Sequence, residues 1–230
     1  MEKKAVIIPA AGSGTRLGSD IPKPYIKILG KTILQRSIER FIDVEGLTQV
    51  IVATSVNYLK DCQEIFENIN YSNISFQVIV GGTERQYSIE NALNELSDDV
   101  SLVAIHDAVR PFVDSEQISN CFKAASEFGG AVLGVPAKDT IKKVDKENII
   151  KETPDRSELW QAQTPQIFKK ELLKEAYKFA IDNNFLGTDD ASLVERIGGH
   201  IKMIESSRNN FKITYPLDLR VAELIIENNL

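Results

Sequence analysis

The stretch PAAGSGTRLGSDIPKPY at positions 9–25 joins small residues and glycines to two cations directly after a short apolar run. Backbone N–H groups around Ala10, Ala11, Gly12 and Gly14 could approach a phosphate closely, because no bulky side chain stands in the way. Arg16 and Lys23 would then stand where a triphosphate needs neutralising. Two better-known phosphate loops do not fit. A Walker loop needs Lys and Ser/Thr directly after its last glycine, and here Gly18 precedes Ser19 and Asp20. A dinucleotide fingerprint opens a helix, whereas this loop reads G-x-G-x-x-x-G and then meets Pro22 and Pro24. A Gly-rich loop alone could be a structural turn; the two cations favour a ligand.

GGTERQYS at 81–88 offers glycine backbone and a Ser88 hydroxyl, which could hydrogen-bond the edge of a flat base. The alternative is an ordinary turn with Ser88 inside the following helix. In HDAVRPF at 106–112 an apolar run ends on Asp107, a carboxylate placed to serve a sugar hydroxyl or Mg²⁺, or to pair with Arg110. His106 has no nucleophile elbow to work with, so a hydrogen-bonded histidine at a strand end is the better reading. Thr188 before Asp189 and Asp190 reads as a helix start. By residue type alone Arg156 and Lys212 read as solvated surface.

The elements carrying these residues alternate. Short β-branched runs fall at 5–9, 50–54, 76–80, 102–105 and 131–135. Amphipathic stripes lie between them: Ile33, Leu34, Ile38, Phe41 and Ile42 share one face at helical spacing, and similar stripes follow near 57–69, 85–96 and 115–128. This rhythm predicts βαβ crossovers and a parallel sheet covered on both faces. The regularity stops after Pro136. Segments 140–144 and 149–153 favour strands, and residues 145–148 favour a turn, so a polar β-hairpin arm is expected at 138–155. Such an arm finds little core of its own, and a second subunit is one place for it to pack. Helices are expected near 168–183 and 189–198, a short strand near 201–205 and a helix after Pro216.

A chain of 230 residues with 43% hydrophobic and 26% charged residues can build one large globular domain. The net charge of −6 argues against a nucleic-acid-coating protein. Cys62 and Cys121 match no metal or redox spacing, and the apolar N-terminal run is too short for a signal or a membrane span, so a cytoplasmic enzyme without nucleic-acid or membrane partners is expected.

PAAGSGTR with PKPY, GGTERQYS, HDAVRPF, DRSELWQAQTPQIF at 155–168, TDDASLVE at 188–195 and NNFKIT at 209–214 resemble, in order, the 2-C-methyl-D-erythritol 4-phosphate cytidylyltransferases of the non-mevalonate isoprenoid pathway. The resemblance implies a Rossmann-like three-layer α/β fold with a mostly parallel sheet. It implies one nucleotidyltransferase domain over 1–230, with a β-arm at 138–160 that makes a homodimer, and CTP and Mg²⁺ as requirements. It assigns Arg16, Lys23 and Lys212 to the reacting phosphates and Ala10, Ala11, Gly12 and Gly14 to the CTP loop. Gly82, Thr83 and Ser88 fall to the base, and Asp107 with Ala108 to the ribose and the metal region, Asp107 being the expected metal ligand. Thr140, Arg156, Thr164 and Thr188 would bind the polyol phosphate, with Arg156 and Thr140 presented to the neighbouring subunit. Val109 departs from the family's usual alanine, and HDAVRPF also occurs in ribitol-phosphate cytidylyltransferases, so ribitol 5-phosphate is the alternative acceptor. A transferase for another base, or a noncatalytic nucleotide-binding regulator, completes the alternatives.

Overall fold

The computed structural model describes residues 2–12, 21–69, 71 and 73–228. The first half follows the expected alternation: β1 (Lys3–Pro9), the two-residue strands β2 (Lys27–Ile28) and β3 (Lys31–Thr32), α1 (Ile33–Glu39), β4 (Leu47–Thr54), α2 (Leu59–Glu67), β5 (Ser75–Val80), α3 (Arg85–Asn94), β6 (Val100–Ile105), α4 (Ser115–Phe128) and β7 (Gly130–Pro136). The second half is less regular: β8 (Lys143–Val144), β9 (Ile150–Glu152), β10 (Trp160–Lys169), α5 (Lys170–Asp182), α6 (Asp190–Arg196), β11 (Ile201–Glu205) and α7 (Pro216–Asn228).

Seven strands form one sheet in the order β11-β7-β10-β6-β1-β4-β5. All neighbours are parallel except β10, which runs antiparallel to both β6 and β7. The continuous apolar runs have the expected cause. Along β1, Val6 and Ile8 pack into the layer of α1, α2 and α4, while Ala5 and Ile7 pack into the layer of α3, α5 and α6. Alternate side chains thus meet a helix on each face, and each fully buried Ile contributes roughly 1.5–3 kcal/mol.

Strand β10 corrects the expectation of helix from 168. Phe168 and Lys169 close a ten-residue strand, and α5 starts only at Lys170. The strand was hidden by Pro165, which cannot donate to a ladder; the pairing with β7 jumps from Ala162 to Gln166 around it, and this irregularity accommodates the proline. The hairpin is present but shorter than expected, with Lys143–Val144 antiparallel to Ile150–Glu152. Its turn is built by the Asp145 carboxylate, which accepts from the Glu147 and Ile149 amides, and by Asn148 at φ +64°. The arm forms a separate two-stranded sheet with Ile141, Val144, Ile149 and Ile150 exposed.

A third apolar cluster fixes the chain's return to the sheet edge. Ile213, Val109, Phe112, Ile28 and Ile33 pack with Ala222 of α7, and the Ile213 amide donates to the Val109 carbonyl at 2.9 Å. Burial of Ile213 therefore brings its neighbour Lys212 beside the end of β6.

Candidate active site

From β1 the chain crosses to β4 and β5, then returns to β6 on the other side of β1. The carboxyl ends of β1 and β6 flank this reversal, which is where an open α/β sheet leaves a crevice. A cavity of about 220 Å³ opens there. Its walls come from five separated segments: Pro9–Gly12 after β1, Lys23 and Pro24, the loop 82–85 with Ser88, residues 107–109 after β6, and Lys212 with Ile213.

Lys23 sits in a single 3₁₀ turn (Lys23–Tyr25), the form the two prolines leave open. Tyr25 anchors that turn: its hydroxyl meets Thr54 Oγ1 at 2.5 Å at the end of β4, and its ring stacks on Tyr58 with centroids 4.4 Å apart. The Lys23 side chain is buried, with Nζ donating to the Thr214 carbonyl at 2.9 Å.

The loop after β5 depends on its glycines. A Cβ on Gly82 would lie 2.5 Å from Tyr87 Cβ and 3.0 Å from the Tyr87 carbonyl carbon, and one on Gly81 would lie 2.6 Å from Ala11 Cβ. The two ligand-facing loops therefore touch through Gly81. Ser88 Oγ accepts from the Gly82 amide at 3.0 Å and donates to the Glu84 carbonyl at 3.0 Å. Its proton is committed to the loop, so Ser88 can present a ligand only with an acceptor lone pair.

Asp107 is the electrostatic centre. Its Oδ2 lies 3.1 Å from Lys212 Nζ and 3.1 Å from Arg110 Nε, and its Oδ1 lies 3.8 Å from Arg85 Nε. Burial pushes this carboxyl's pKa up, but Lys212, Arg85 and Arg110 outweigh burial and hold it below the ordinary carboxylate range. Arg85 in turn forms a two-pronged pair with the buried Asp190, at 3.1 and 2.7 Å, and Tyr177 donates to the same carboxylate at 2.6 Å. Burial disfavours the Arg85 cation, and Asp190 and Asp107 more than restore it. His106 is fully buried. Burial lowers its pKa from 6.5 to about 4, so the imidazole is neutral near pH 7, and it is hydrogen-bonded to the Arg110 carbonyl through Nε2 at 3.0 Å.

Of the residues singled out from the sequence, Ala10, Ala11, Gly12, Lys23, Gly82, Thr83, Ser88, Asp107, Ala108 and Lys212 line one cavity. Gly14 and Arg16 lie outside the described residues. Thr164 does not reach the cavity: it is buried beneath it, where its hydroxyl accepts from the Asp107 amide at 3.0 Å and meets His106 Nδ1 at 3.2 Å. Thr188 is exposed and precedes the helix cap, which is Asp189 with a capping box to Ser192. Thr140 and Arg156 are also exposed and do not line this chain's cavity; Arg156 Nη1 donates to the Lys138 carbonyl at 3.1 Å. Arg85 was missed as an individual residue. It lay in plain view within GGTERQYS, and only its packing against Asp190 and Asp107 distinguishes it from a surface arginine.

Among the described residues no three His, Cys, Asp or Glu side chains cluster to hold a metal ion. Among the described residues Asp107 and Glu84 are the carboxylates that line the crevice, a donor set that suits Mg²⁺ only if phosphates supply most other ligands. No helix among the described residues is long and apolar enough to cross a membrane.

The family model for IspD, 2-C-methyl-D-erythritol 4-phosphate cytidylyltransferase, matches residues 4–228. The chain belongs to this family. Among its relatives is the 2-C-methyl-D-erythritol 4-phosphate cytidylyltransferase of Caldanaerobacter subterraneus, 46% identical over 98% of this chain and 99% of the relative. The enzyme of the same name from Clostridioides difficile is 44% identical over 96% and 93% of the two chains. In solved structures, 4-diphosphocytidyl-2C-methyl-D-erythritol synthase of Anaerococcus prevotii superposes with a TM-score of 0.87 at 28% identity, covering 98% of this chain and 96% of that one. The Francisella tularensis cytidylyltransferase gives 0.80 at 35% identity, with 97% and 99% covered. The chain is thus a cytidylyltransferase of the isoprenoid pathway, using CTP and methylerythritol phosphate as its family does, and the ribitol and regulator alternatives fall away.

Proposed function

We propose that this cavity is where the cytidylyl group changes hands. The acceptor's phosphate oxygen attacks the α-phosphorus of CTP in line; a new P–O bond forms as the α–β bridge breaks, and pyrophosphate leaves with the bridging oxygen. Charge grows on the phosphorus oxygens and the leaving group, so fixed cations matter more than a proton shuttle. Lys23 and Lys212, both lining the crevice, supply them, with Arg16 as the third. The Ala10, Ala11, Gly12 and Gly14 backbone holds the triphosphate, while Gly82, Thr83 and the Ser88 lone pair hold the cytosine. Asp107 and Ala108 hold the ribose. Asp107 also offers one ligand to Mg²⁺, which when bound would neutralise phosphate charge.

The observation that carries this reading is convergence: five sequence segments, far apart in the chain, line a single crevice at the chain's reversal point. Residues 1–230 act as one nucleotidyltransferase unit in the cytoplasm, where Cys62 and Cys121 remain buried thiols. The arm at 138–160 makes a homodimer. Its exposed Ile141, Val144, Ile149 and Ile150 support that, and so does the exposure of Thr140 and Arg156 away from their own cavity. Those two residues bind the methylerythritol phosphate in the neighbour's site, beside Thr188.

Mixing two inactive dimers tests this. Lys23→Ala and Arg156→Ala homodimers should each be nearly inactive. Co-refolded, about half the dimers become heterodimers in which one of two sites is complete, so activity should recover to roughly a quarter of wild type. No recovery, with heterodimers verified by differential tags, refutes the shared site.

A further inference from the structure

The tip of Lys23 is held by a peptide unit that is itself held from behind. Lys23 Nζ donates to the Thr214 carbonyl at 2.9 Å. That carbonyl and the Tyr215 N–H belong to one planar trans peptide, so they point in opposite directions and cannot turn independently. The Tyr215 amide donates to Asp218 Oδ2 at 2.7 Å, and the Thr214 amide donates to the same oxygen at 2.7 Å. A carboxylate, one peptide unit and an ammonium therefore stand in series. The charge at each end polarises the peptide between them, which strengthens both bonds.

The strip around this series is folded onto itself. Thr214 Oγ1 donates to the Lys212 carbonyl at 3.2 Å, the Ile213 amide donates to the Val109 carbonyl at 2.9 Å, and the Asp218 amide donates to the Tyr215 carbonyl at 2.9 Å. Lys212 thus stands two residues before the carbonyl that holds Lys23, and one strip sets both cations. Lys23 and Lys212 line the crevice; Asp218, half-buried in the first turn of α7, does not. Two ammonium groups at one crevice repel each other, and a flexible four-carbon stem gives Lys23 room to retreat. The Thr214 carbonyl opposes that retreat only if it is kept aimed. An ammonium carries three donors, so the one given to Thr214 orients the group without exhausting it.

We propose that Asp218 is a positioning residue for the reaction: through the 214–215 peptide it sets where the Lys23 ammonium stands as charge develops on the phosphates. This role rests on the one given above to Lys23. Asp218 lies outside the crevice and acts through Lys23.

Asp218→Ala removes the acceptor and frees the peptide to rotate. Misplacement of Lys23 should lower kcat about 10- to 100-fold, with KM for CTP within about threefold. Both amides use one oxygen, which an amide oxygen can replace, so Asp218→Asn should keep kcat within about threefold of wild type. Asp114 supplies the comparison, a helix cap of the same chemistry: its Oδ1 accepts from the Glu116 and Gln117 amides at 2.8 and 3.3 Å at the start of α4. Asp114→Ala and Asp218→Ala should each lower Tm by about 2–4 °C, and only Asp218→Ala should slow the reaction. In a Lys23→Ala background, adding Asp218→Ala should cost less than about threefold in single turnovers, since the group it misplaces is already gone. A lower Tm with unchanged kcat per folded enzyme would reduce Asp218 to a helix cap and overturn the proposal, as would an Asp218→Asn rate as low as that of Asp218→Ala, or full additivity with Lys23→Ala. Should Asp218→Ala fail to fold, Asp218→Glu keeps the negative charge at the helix start, moves the oxygen by one methylene, and is judged by the same kcat and KM split. Lys23→Ala by itself reports on the catalytic reading: a wild-type rate there refutes the role of Lys23, while a slow Lys23→Ala beside a fast Asp218→Ala refutes only the positioning role.

Discussion

Gly82→Ala should weaken CTP use through one methyl group. The added Cβ would lie 2.5 Å from Tyr87 Cβ, 3.0 Å from the Tyr87 carbonyl carbon and 3.2 Å from the Ser88 amide nitrogen. Two of these three are backbone atoms, so no flexible side-chain tip can swing aside. Ordinary carbon contacts need about 3.5–4.0 Å, and the loop must therefore retreat by about 1 Å. That retreat breaks the 3.0 Å bond from the Gly82 amide to Ser88 Oγ and moves the wall that faces the base. A displacement of about 1 Å at a reacting site costs about 10²-fold in rate, and overpacking costs about 1–3 kcal/mol of stability. In a pyrophosphate-release assay kcat/KM for CTP should fall about 100-fold, while KM for the methylerythritol phosphate stays near wild type. Gly12→Ala is the informative contrast, because its Cβ meets no atom of the described residues within 4 Å. It should leave the melting temperature unchanged and harm only CTP binding. If Gly82→Ala folds and keeps its CTP kinetics within twofold of wild type, the loop does not form the base site.

Lys212→Ala should lower kcat about 10²–10³-fold as a lost electrostatic contact to the transition state, with little change in stability because the side chain is half exposed; a kcat within threefold of wild type removes it from the mechanism. Folding stability should also fall in mild acid. The unfolded chain protonates His106 near pH 6.5, whereas the buried imidazole resists until about pH 4. The stability this residue contributes is therefore complete above pH 6.5 and is lost as pH falls towards 4, by about 3 kcal/mol in all. Urea midpoints at pH 7.5 and 4.5 measure it, and a His106→Gln variant that shows the same decline would assign the loss to other groups.

Much of this was legible in the sequence for a local reason. Doubly buried parallel strands need unbroken apolar runs, so β1, β4, β6 and β7 announced themselves, and the glycines of GGTERQYS stood out as backbone open to a ligand. The NNFKIT motif marked Lys212, although an isolated lysine has no local signature of function. Tertiary structure decided the rest. Pro165 spoke against a strand, yet β10 absorbs it with an irregular register and becomes the sheet's antiparallel member. Thr164 in the same segment is expected to contact a ligand, and only the tertiary structure shows its hydroxyl buried and bonded to the Asp107 amide and His106. Arg85 and Asp190 are 105 positions apart and pair only because α3 and α6 cover the same face of the sheet. Periodicity records which side chains face the core, since burial acts on each residue where it stands. Which charges meet across the crevice depends on how distant segments are brought together, and that pairing has no period to read.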